Sequence, residues 1–270
     1  MMALSLTRIA NMVGGRVLGG DVAGDTLVDV AATDSRAMPG GRPLFIALKG
    51  ERFDGHDHLL AAERNGAVAA LVSRETDSRL PRILVADTER ALAAFAAALQ
   101  RDRRTKVIAI TGSNGKTSVK SLVLAILHQA FPQSGAVYAN PGNRNNEIGL
   151  PLAVLEAPDD ARFAVYEMGA GKPGDIAYLT AIARPDISVV NNIAPAHLER
   201  MGSLLGVADT KGAIYDALAT DGVAVINADD AFAPYFAERA HGRRLIRYGL
   251  EASADVTAQA IELDAEGARF

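Results

Sequence analysis

Cysteine and tryptophan are absent from the 270-residue sequence, and aromatic residues make up only 5% of it. Without cysteine there are no disulfides and no thiolate chemistry, which suits a reducing compartment. So few aromatics leave little with which to stack nucleic-acid bases, and a net charge of −4 gives no electrostatic footprint for a polyanion. No uncharged apolar run is long enough to span a bilayer. The opening residues Met1 to Ile9 lack the apolar core of a signal peptide. The expectation is a cytoplasmic protein with no nucleic-acid partner and no membrane insertion, working as a monomer.

What is present is enough chain for two domains with real cores, at 49% hydrophobic and 22% charged residues. The chain is organised around Ile108-Ala109-Ile110-Thr111-Gly112-Ser113-Asn114-Gly115-Lys116-Thr117-Ser118. Residues 107–110 form an apolar run that reads as a buried strand. After the two glycines and Lys116-Thr117, Val119, Leu122, Val123, Ile126, Leu127 and Ala130 fall on one helical face. Strand, Gly-rich turn, Lys-Thr and helix are the context of a phosphate-binding loop: backbone N–H groups and a helix N-terminus attract an oxyanion. Lys116 is placed to reach terminal phosphates, and the Thr117 hydroxyl can ligate Mg²⁺. The spacing is short. The common loop has four residues between its first Gly and the Gly-Lys pair, and counting back here lands on Ile110. An ordinary strand-to-helix turn with a surface lysine is the bland alternative.

Residues 1–86 read as a small α/β domain. Thr7 is expected to cap a short helix ending at Gly14-Gly15. Residues 27–31, 44–48, 67–72 and 83–86 read as strands, with a helix over 58–64. An alanine-rich helix over 88–104, capped by Thr88, is expected to connect the domains as residues 87–105. Residues 106–270 alternate strand (107–110, 163–166, 187–190, 223–226) with helix (175–183, 209–218, 231–239). The strands are near-continuous apolar runs, as in a sheet covered on both faces, so the fold expected is a doubly wound, mostly parallel α/β domain. Near the end, Asp264-Ala265-Glu266-Gly267 signals a hairpin turn with only Ala268, Arg269 and Phe270 beyond it. Three residues look too few for a strand, so the sequence reads as a piece of a longer chain, truncated at its C-terminal end.

Each strand of the second domain delivers polar residues at its carboxyl end: Thr111-Gly112, then Glu167, then Asn191-Asn192, then Asn227-Ala228-Asp229-Asp230. Ligands of such sheets bind beyond those ends, so the four endings are expected to meet in one crevice. Glu167 is a hard oxygen ligand suited to Mg²⁺, or else a carboxylate capping the next turn. The loop Asn140 to Pro151 holds Asn143, Asn145 and Asn146 besides Asn140. It offers amides to a polar substrate, or simply good turn chemistry. His197 alone is no more than a surface or structural histidine. Lys211 reads as a lysine in the first turn of the helix over 209–218, where a cation opposes the helix dipole, a hint that it does not stay cationic.

Together these residues resemble the Mur ligases, the ATP-dependent amide ligases of peptidoglycan precursor synthesis. The short loop from Thr111 to Thr117 is similar to that family's phosphate loop. Glu167 in Glu-Met-Gly-Ala, His197 in Ala-His-Leu-Glu, Lys211 in Lys-Gly-Ala-Ile and Asn227 in Asn-Ala-Asp-Asp fall in the family's order. The resemblance implies that residues 1–86 bind a UDP-linked substrate, with Asp34, Ser35, Arg36 and Lys49 at that site, and that 106–270 bind ATP and Mg²⁺. It implies phosphate contacts from Thr111, Gly112, Ser113, Asn114, Gly115, Lys116, Thr117 and Ser118, with Asn191 and Asn227 on the nucleotide and Asn227 at the adenine. It also implies metal contacts from Thr117, Glu167, His197 and a carbamylated Lys211. The asparagine loop with Asn143, Asn145 and Asn146 points to the member that adds D-alanyl-D-alanine to UDP-N-acetylmuramoyl-tripeptide through an acyl phosphate, giving ADP and phosphate. A sister ligase adding diaminopimelate or lysine is the near alternative, and a non-ligase P-loop binding module the distant one. The family carries a third, C-terminal α/β domain that nothing here supplies, so the chain is expected to bind the UDP-substrate and ligate poorly.

Overall fold

The computed structural model describes residues 1–20, 22–265 and 267–270. Two compact units emerge: residues 1–105 with 138–162, and residues 106–137 with 163–270. These units and the domains expected from sequence are drawn at different places. The helix Thr88–Asp102 packs on Leu6–Val13 and Gly149–Glu156, inside the first unit. Residues 138–162, expected with the second domain, group with the first.

The first unit is built on a five-stranded sheet in the order Arg16–Leu18, Arg82–Leu84, Ala69–Val72, Pro43–Ile46, Val30–Ala32. The first pairing is antiparallel and the others parallel. Under it sits a core of Phe45, Ala47, Leu59, Ala62, Ala67, Ala70, Val72 and Leu80. The single strand expected over 27–31 is divided at Asp29. Leu27–Val28 pairs antiparallel with Leu4–Ser5, while Val30–Ala32 joins the main sheet. Asp29 holds the break by accepting from the Arg42 backbone N–H at 2.7 Å and its guanidinium at 3.0 Å.

Both expected helix caps are displaced by one or two residues. Ser5, not Thr7, caps Leu6–Val13, and the Thr7 hydroxyl bonds the Gly24 carbonyl instead. Asp87 caps Thr88–Asp102, accepting from Glu89 and Arg90 N–H at 2.9 and 3.0 Å. The buried Thr88 hydroxyl donates to the Ala47 carbonyl at 2.9 Å. In each case a carboxylate or hydroxyl just before the helix reaches its free N–H groups, whereas a side chain already inside the first turn points elsewhere. The helix Gly149–Glu156 had no helical signature, because Gly149 through Leu155 are all buried and an all-apolar segment shows no period.

The second unit carries five parallel strands of a six-stranded sheet, in the order Arg244–Tyr248, Val223–Asn227, Ile187–Val190, Lys106–Thr111, Phe163–Glu167, with Val137–Ala139 next in line. From Lys106–Thr111 the chain moves first to one neighbour and then back past it to the other. Right-handed crossovers in opposite directions put helices on both faces, the doubly wound arrangement expected. Asp175–Ala183, Leu204–Asp216 and Ala233–Arg239 pack successively against one another. Lys116–Ala130 rests on Lys106–Thr111 and Phe163–Glu167. Its apolar stripe is not buried as its period suggests: Leu122 is 66% and Ile126 67% exposed. The strand Arg244–Tyr248 escaped notice because basic residues punctuate its apolar ones at the sheet edge. At the end, Gly267–Arg269 does pair antiparallel with Glu262–Asp264, so three residues suffice for a short ladder. Glu266, in the expected turn, lies outside the described residues.

Replacing Asp87 by Ala removes the cap of the first unit's longest helix and should cost about 1 kcal/mol. A lowered urea midpoint, with no equal change for Thr7→Ala, checks the assignment of the caps.

Candidate active site

The site is set by where strands stop. Glu167 is level with Ile110, and Val190 with both Thr111 and Ile226. Parallel register therefore brings Thr111, Glu167, Asn191 and Asn227 to one edge of the sheet. Contacts between neighbouring ends bear this out. The Thr111 hydroxyl donates to the Met168 carbonyl at 2.9 Å. The Asn227 amide donates to the Asn191 carbonyl at 3.0 Å, and the Asp230 carboxylate accepts from the Ile193 N–H at 2.7 Å.

The loop between Thr111 and Lys116 is braced from the next strand end. Ser113 N–H donates to the Asn192 carbonyl and Asn114 N–H to the Asn192 side-chain oxygen, both at 2.9 Å. The Asn191 amide donates to the Asn114 carbonyl at 2.9 Å. The Ser113 hydroxyl exchanges bonds with Ala194, donating to its carbonyl and accepting its N–H. Ser113 and Asn114 thus turn their N–H groups into the protein. The donors left for an oxyanion are those of Lys116, Thr117 and Ser118, which have no partner within the helix they open. Gly115 has φ 72°, and a Cβ there would come within 2.9 Å of the Asn191 amide nitrogen. A side chain there would strain the backbone and crowd that amide. Asn191 and Asn227, expected on the nucleotide, are engaged in this bracing, and Tyr248 adds a hydroxyl bond to Asn191 at 3.1 Å.

Three charged groups and a hydroxyl meet beside the loop. The Lys116 ammonium is folded onto the Gly112 carbonyl at 2.9 Å. Thr117 hydroxyl donates to Glu167 Oε2 at 2.8 Å. The same oxygen lies 3.5 Å from the ammonium of Lys120, and both side chains are almost wholly buried. A hydroxyl and a carboxylate side by side at a helix N-terminus are a donor set that fits Mg²⁺, which binds through one or two protein oxygens and keeps waters or phosphates for the rest. Lys120 was missed by sequence reasoning. Its signal was a lysine inside an apolar helical run, four residues after Lys116 and so on the same helical face.

Lys211 is 2% exposed. Burial, and then the charge of Lys116, pull its ammonium down from the ordinary lysine range to about 8. The expected helix-dipole cause does not apply. The helix is Leu204–Asp216, capped by Ser203, so Lys211 lies in its middle and not its first turn. His197 is exposed and stands before the short helix Leu198–Met201 with φ 51°, a left-handed conformation rare for a residue with a side chain. Among the described residues no group of three or more His, Cys, Asp or Glu side chains gathers to hold a metal. The pair Thr117–Glu167 is what the structure brings together from the expected metal set.

In the first unit, Arg36 clasps Asp34 through Nε at 2.9 Å and Nη2 at 2.8 Å. These bonds hold the Asp34 carboxyl down at about 2. Ser35 is buried and its carbonyl accepts from Asn65 at 2.7 Å. Lys49 is exposed and its backbone bridges to Asp54. In the asparagine loop, Asn140 is buried and donates to the Arg144 carbonyl at 2.9 Å, and Asn146 accepts the Gly149 N–H at 2.8 Å as the helix Gly149–Glu156 begins. Asn143 is exposed, and its carbonyl accepts from Asn145 N–H. Asn140 and Asn146 are thus committed to shaping the loop.

The Lys211 amine makes the site sensitive to pH. It is deprotonated in the folded state above about pH 8 but stays protonated in the unfolded chain up to the ordinary lysine range. In that window the unfolded state binds more protons, so stability should rise with pH by at most ~1.4 kcal/mol per unit. Urea denaturation in carbon-dioxide-free buffer at several pH values should show this slope in the wild-type chain and its loss in Lys211→Met.

Comparison with known proteins gives the same reading. The Mur ligase middle domain matches residues 110–270, and the domain described as "Mur ligase family, catalytic domain" matches residues 27–101. The UDP-N-acetylmuramoyl-tripeptide–D-alanyl-D-alanine ligase of Escherichia coli K12 is 39% identical over 271 residues, covering 100% of this chain and 58% of that protein. The crystal structure of MurF from Acinetobacter baumannii superposes with a TM-score of 0.88 at 30% identity, over 100% of this chain and 60% of that one. MurF from Thermotoga maritima, solved in complex with ADP, matches 92% of this chain and 56% of its own with a TM-score of 0.78 at 31% identity. The chain thus spans somewhat over half the length of the relatives it matches. With the Mur ligase middle domain matching more than half of its residues, the chain belongs to the Mur ligase family.

Proposed function

We propose that this chain carries the substrate- and nucleotide-binding parts of an ATP-dependent ligase that joins D-alanyl-D-alanine to UDP-N-acetylmuramoyl-tripeptide in the cytoplasm. The observation that carries the reading is the Thr117–Glu167 pair at the phosphate loop with Lys211 buried nearby in the same unit. The names of the relatives in Escherichia coli and Acinetobacter baumannii support the choice of substrates. In this reading residues 1–86, with the asparagine loop, hold the UDP-linked tripeptide, and residues 106–270 hold ATP.

The chemistry is positioning and charge neutralisation, since a phosphoryl group must move between two anions. Lys116 leaves the Gly112 carbonyl and takes the terminal phosphates, joined by the N–H groups of Lys116, Thr117 and Ser118. The Thr117 hydroxyl and Glu167 would hold a Mg²⁺ ion and His197 would help hold a second; bound there, the metal would supply positive charge to neutralise phosphate oxygens. The tripeptide carboxylate accepts the γ-phosphoryl group, and the amine of D-alanyl-D-alanine then displaces phosphate. Lys211, partly neutral near physiological pH, is in the state that attacks carbon dioxide; with loss of a proton the product is a carbamate, an anion able to face the metal. Asn227 lies toward the adenine. Ser35 and Arg36, the latter exposed beyond its clasp on Asp34, face the nucleotide or diphosphate of the sugar substrate, with Lys49, Asn143 and Asn145 at the rim.

On its own the chain is proposed to bind and to ligate poorly. Calorimetric titration should show UDP-N-acetylmuramoyl-tripeptide and ADP each binding, with ADP weakened about tenfold or more by Lys116→Ala, which removes a charge-assisted phosphate contact. A phosphate-release assay with D-alanyl-D-alanine should show little turnover. Rapid ligation by the 270-residue chain would sink the second statement, and ADP binding indifferent to Lys116 would sink the first.

A further inference from the structure

The helix Lys116–Ala130 turns its sequence inside out. Its large apolar residues Leu122 and Ile126 face solvent, and its one buried residue is a lysine. Burying an ammonium is costly unless an anion compensates it. Lys120 meets Glu167 Oε2 at 3.5 Å, the oxygen that also accepts the Thr117 hydroxyl, and Glu167 is itself 4% exposed. One carboxylate oxygen therefore has a cation on one side and a metal-ligating hydroxyl on the other. The register that levels Glu167 with Ile110 holds it at the mouth of the loop.

A divalent cation drawn to Glu167 and Thr117 enters a place whose countercharge is already supplied. Two positive charges cannot share one buried carboxylate oxygen without strong repulsion, because the low local dielectric magnifies it. From this geometry we infer that Lys120 is a positioning residue that acts as a built-in cation: it neutralises and aims Glu167 while the site is empty of metal, and yields that oxygen when Mg²⁺ arrives. Metal binding is then an exchange of cations at Glu167, not an addition. The lysine keeps the carboxylate ordered at the crevice and at the same time sets the divalent affinity low, so that the metal is held firmly only together with a phosphate ligand. The displaced ammonium sits one helical turn from Lys116 on the same face, where it adds to the positive charge that faces phosphate. The inference rests on the proposed role of Glu167 and Thr117 as metal ligands.

The test counts free Mn²⁺ by electron paramagnetic resonance as it is titrated into the nucleotide-free chain at pH 8, with the metal-induced rise in Tm as a second readout. Lys120→Met should bind Mn²⁺ about tenfold more tightly than wild type or better, and should gain more Tm from the metal, because its Glu167 starts without that countercharge. Lys120→Arg should behave as wild type. Glu167→Gln should lose the site in either background. Unchanged or weaker Mn²⁺ binding by Lys120→Met, with Glu167→Gln still abolishing it, would overturn the exchange and leave the metal site standing. Binding indifferent to Glu167→Gln would overturn the metal site and the exchange with it. Should Lys120→Met not fold, Lys120→Gln, which keeps a polar head and removes the charge, carries the same expectation.

Discussion

The register of three parallel strands is the constraint on which the second unit depends. Glu167 beside Ile110, and Val190 beside Thr111, end the central strands at one height. Were one strand to slip by a residue, every side chain on it would change face. Glu167 would then leave the Thr117 hydroxyl, and Asn191 would leave the loop it supports. The apolar sequences of these strands, buried under helices on both faces, make such a slip expensive. The hydrophobic core of the sheet and the chemistry of its edge are thus one arrangement seen at two levels.

At that edge the charges are few and closely matched. Lys116 lies on a loop carbonyl, Lys120 on the carboxylate of Glu167, and Lys211 within the field of Lys116. The carboxylate of Glu167 is buried with the ammonium of Lys120, and that burial strengthens their interaction. Burial first, and then the charge of Lys116, lowers the proton affinity of the Lys211 amine. The rigid bracing of Ser113 and Asn114 by Asn192 means that the loop does not have to organise itself when an anion arrives.

The first unit shows the other use of polar residues. Asp29 interrupts a run of apolar residues and sends the chain from one sheet to another. Asn140 and Asn146, which look like substrate amides in a list of residues, close a loop and start a helix. Asp34 and Arg36 clasp each other while the Arg36 side chain stays 86% exposed. Polar side chains in loops have local work to do before they have ligands.

Much of the fold could be read directly. Apolar runs ended by polar residues located four of the five parallel strands, and the loop from Gly112 to Thr117 declared its own context. The fifth strand, Arg244–Tyr248, and the helix Gly149–Glu156 were illegible for opposite reasons, one too charged and the other too uniformly apolar to show a period. Sequence by itself determined the glycine-rich turn between strand and helix, the alternation of strand and helix, and the family, because these rest on neighbours along the chain. Only the tertiary structure decided that Lys211 is buried in mid-helix beside the charge of Lys116, and that Lys120 rather than the apolar stripe of its helix turns inward to Glu167. Burial and the distance between charges belong to residues far apart in sequence, and those two quantities decide which lysine is a surface charge and which is part of a site.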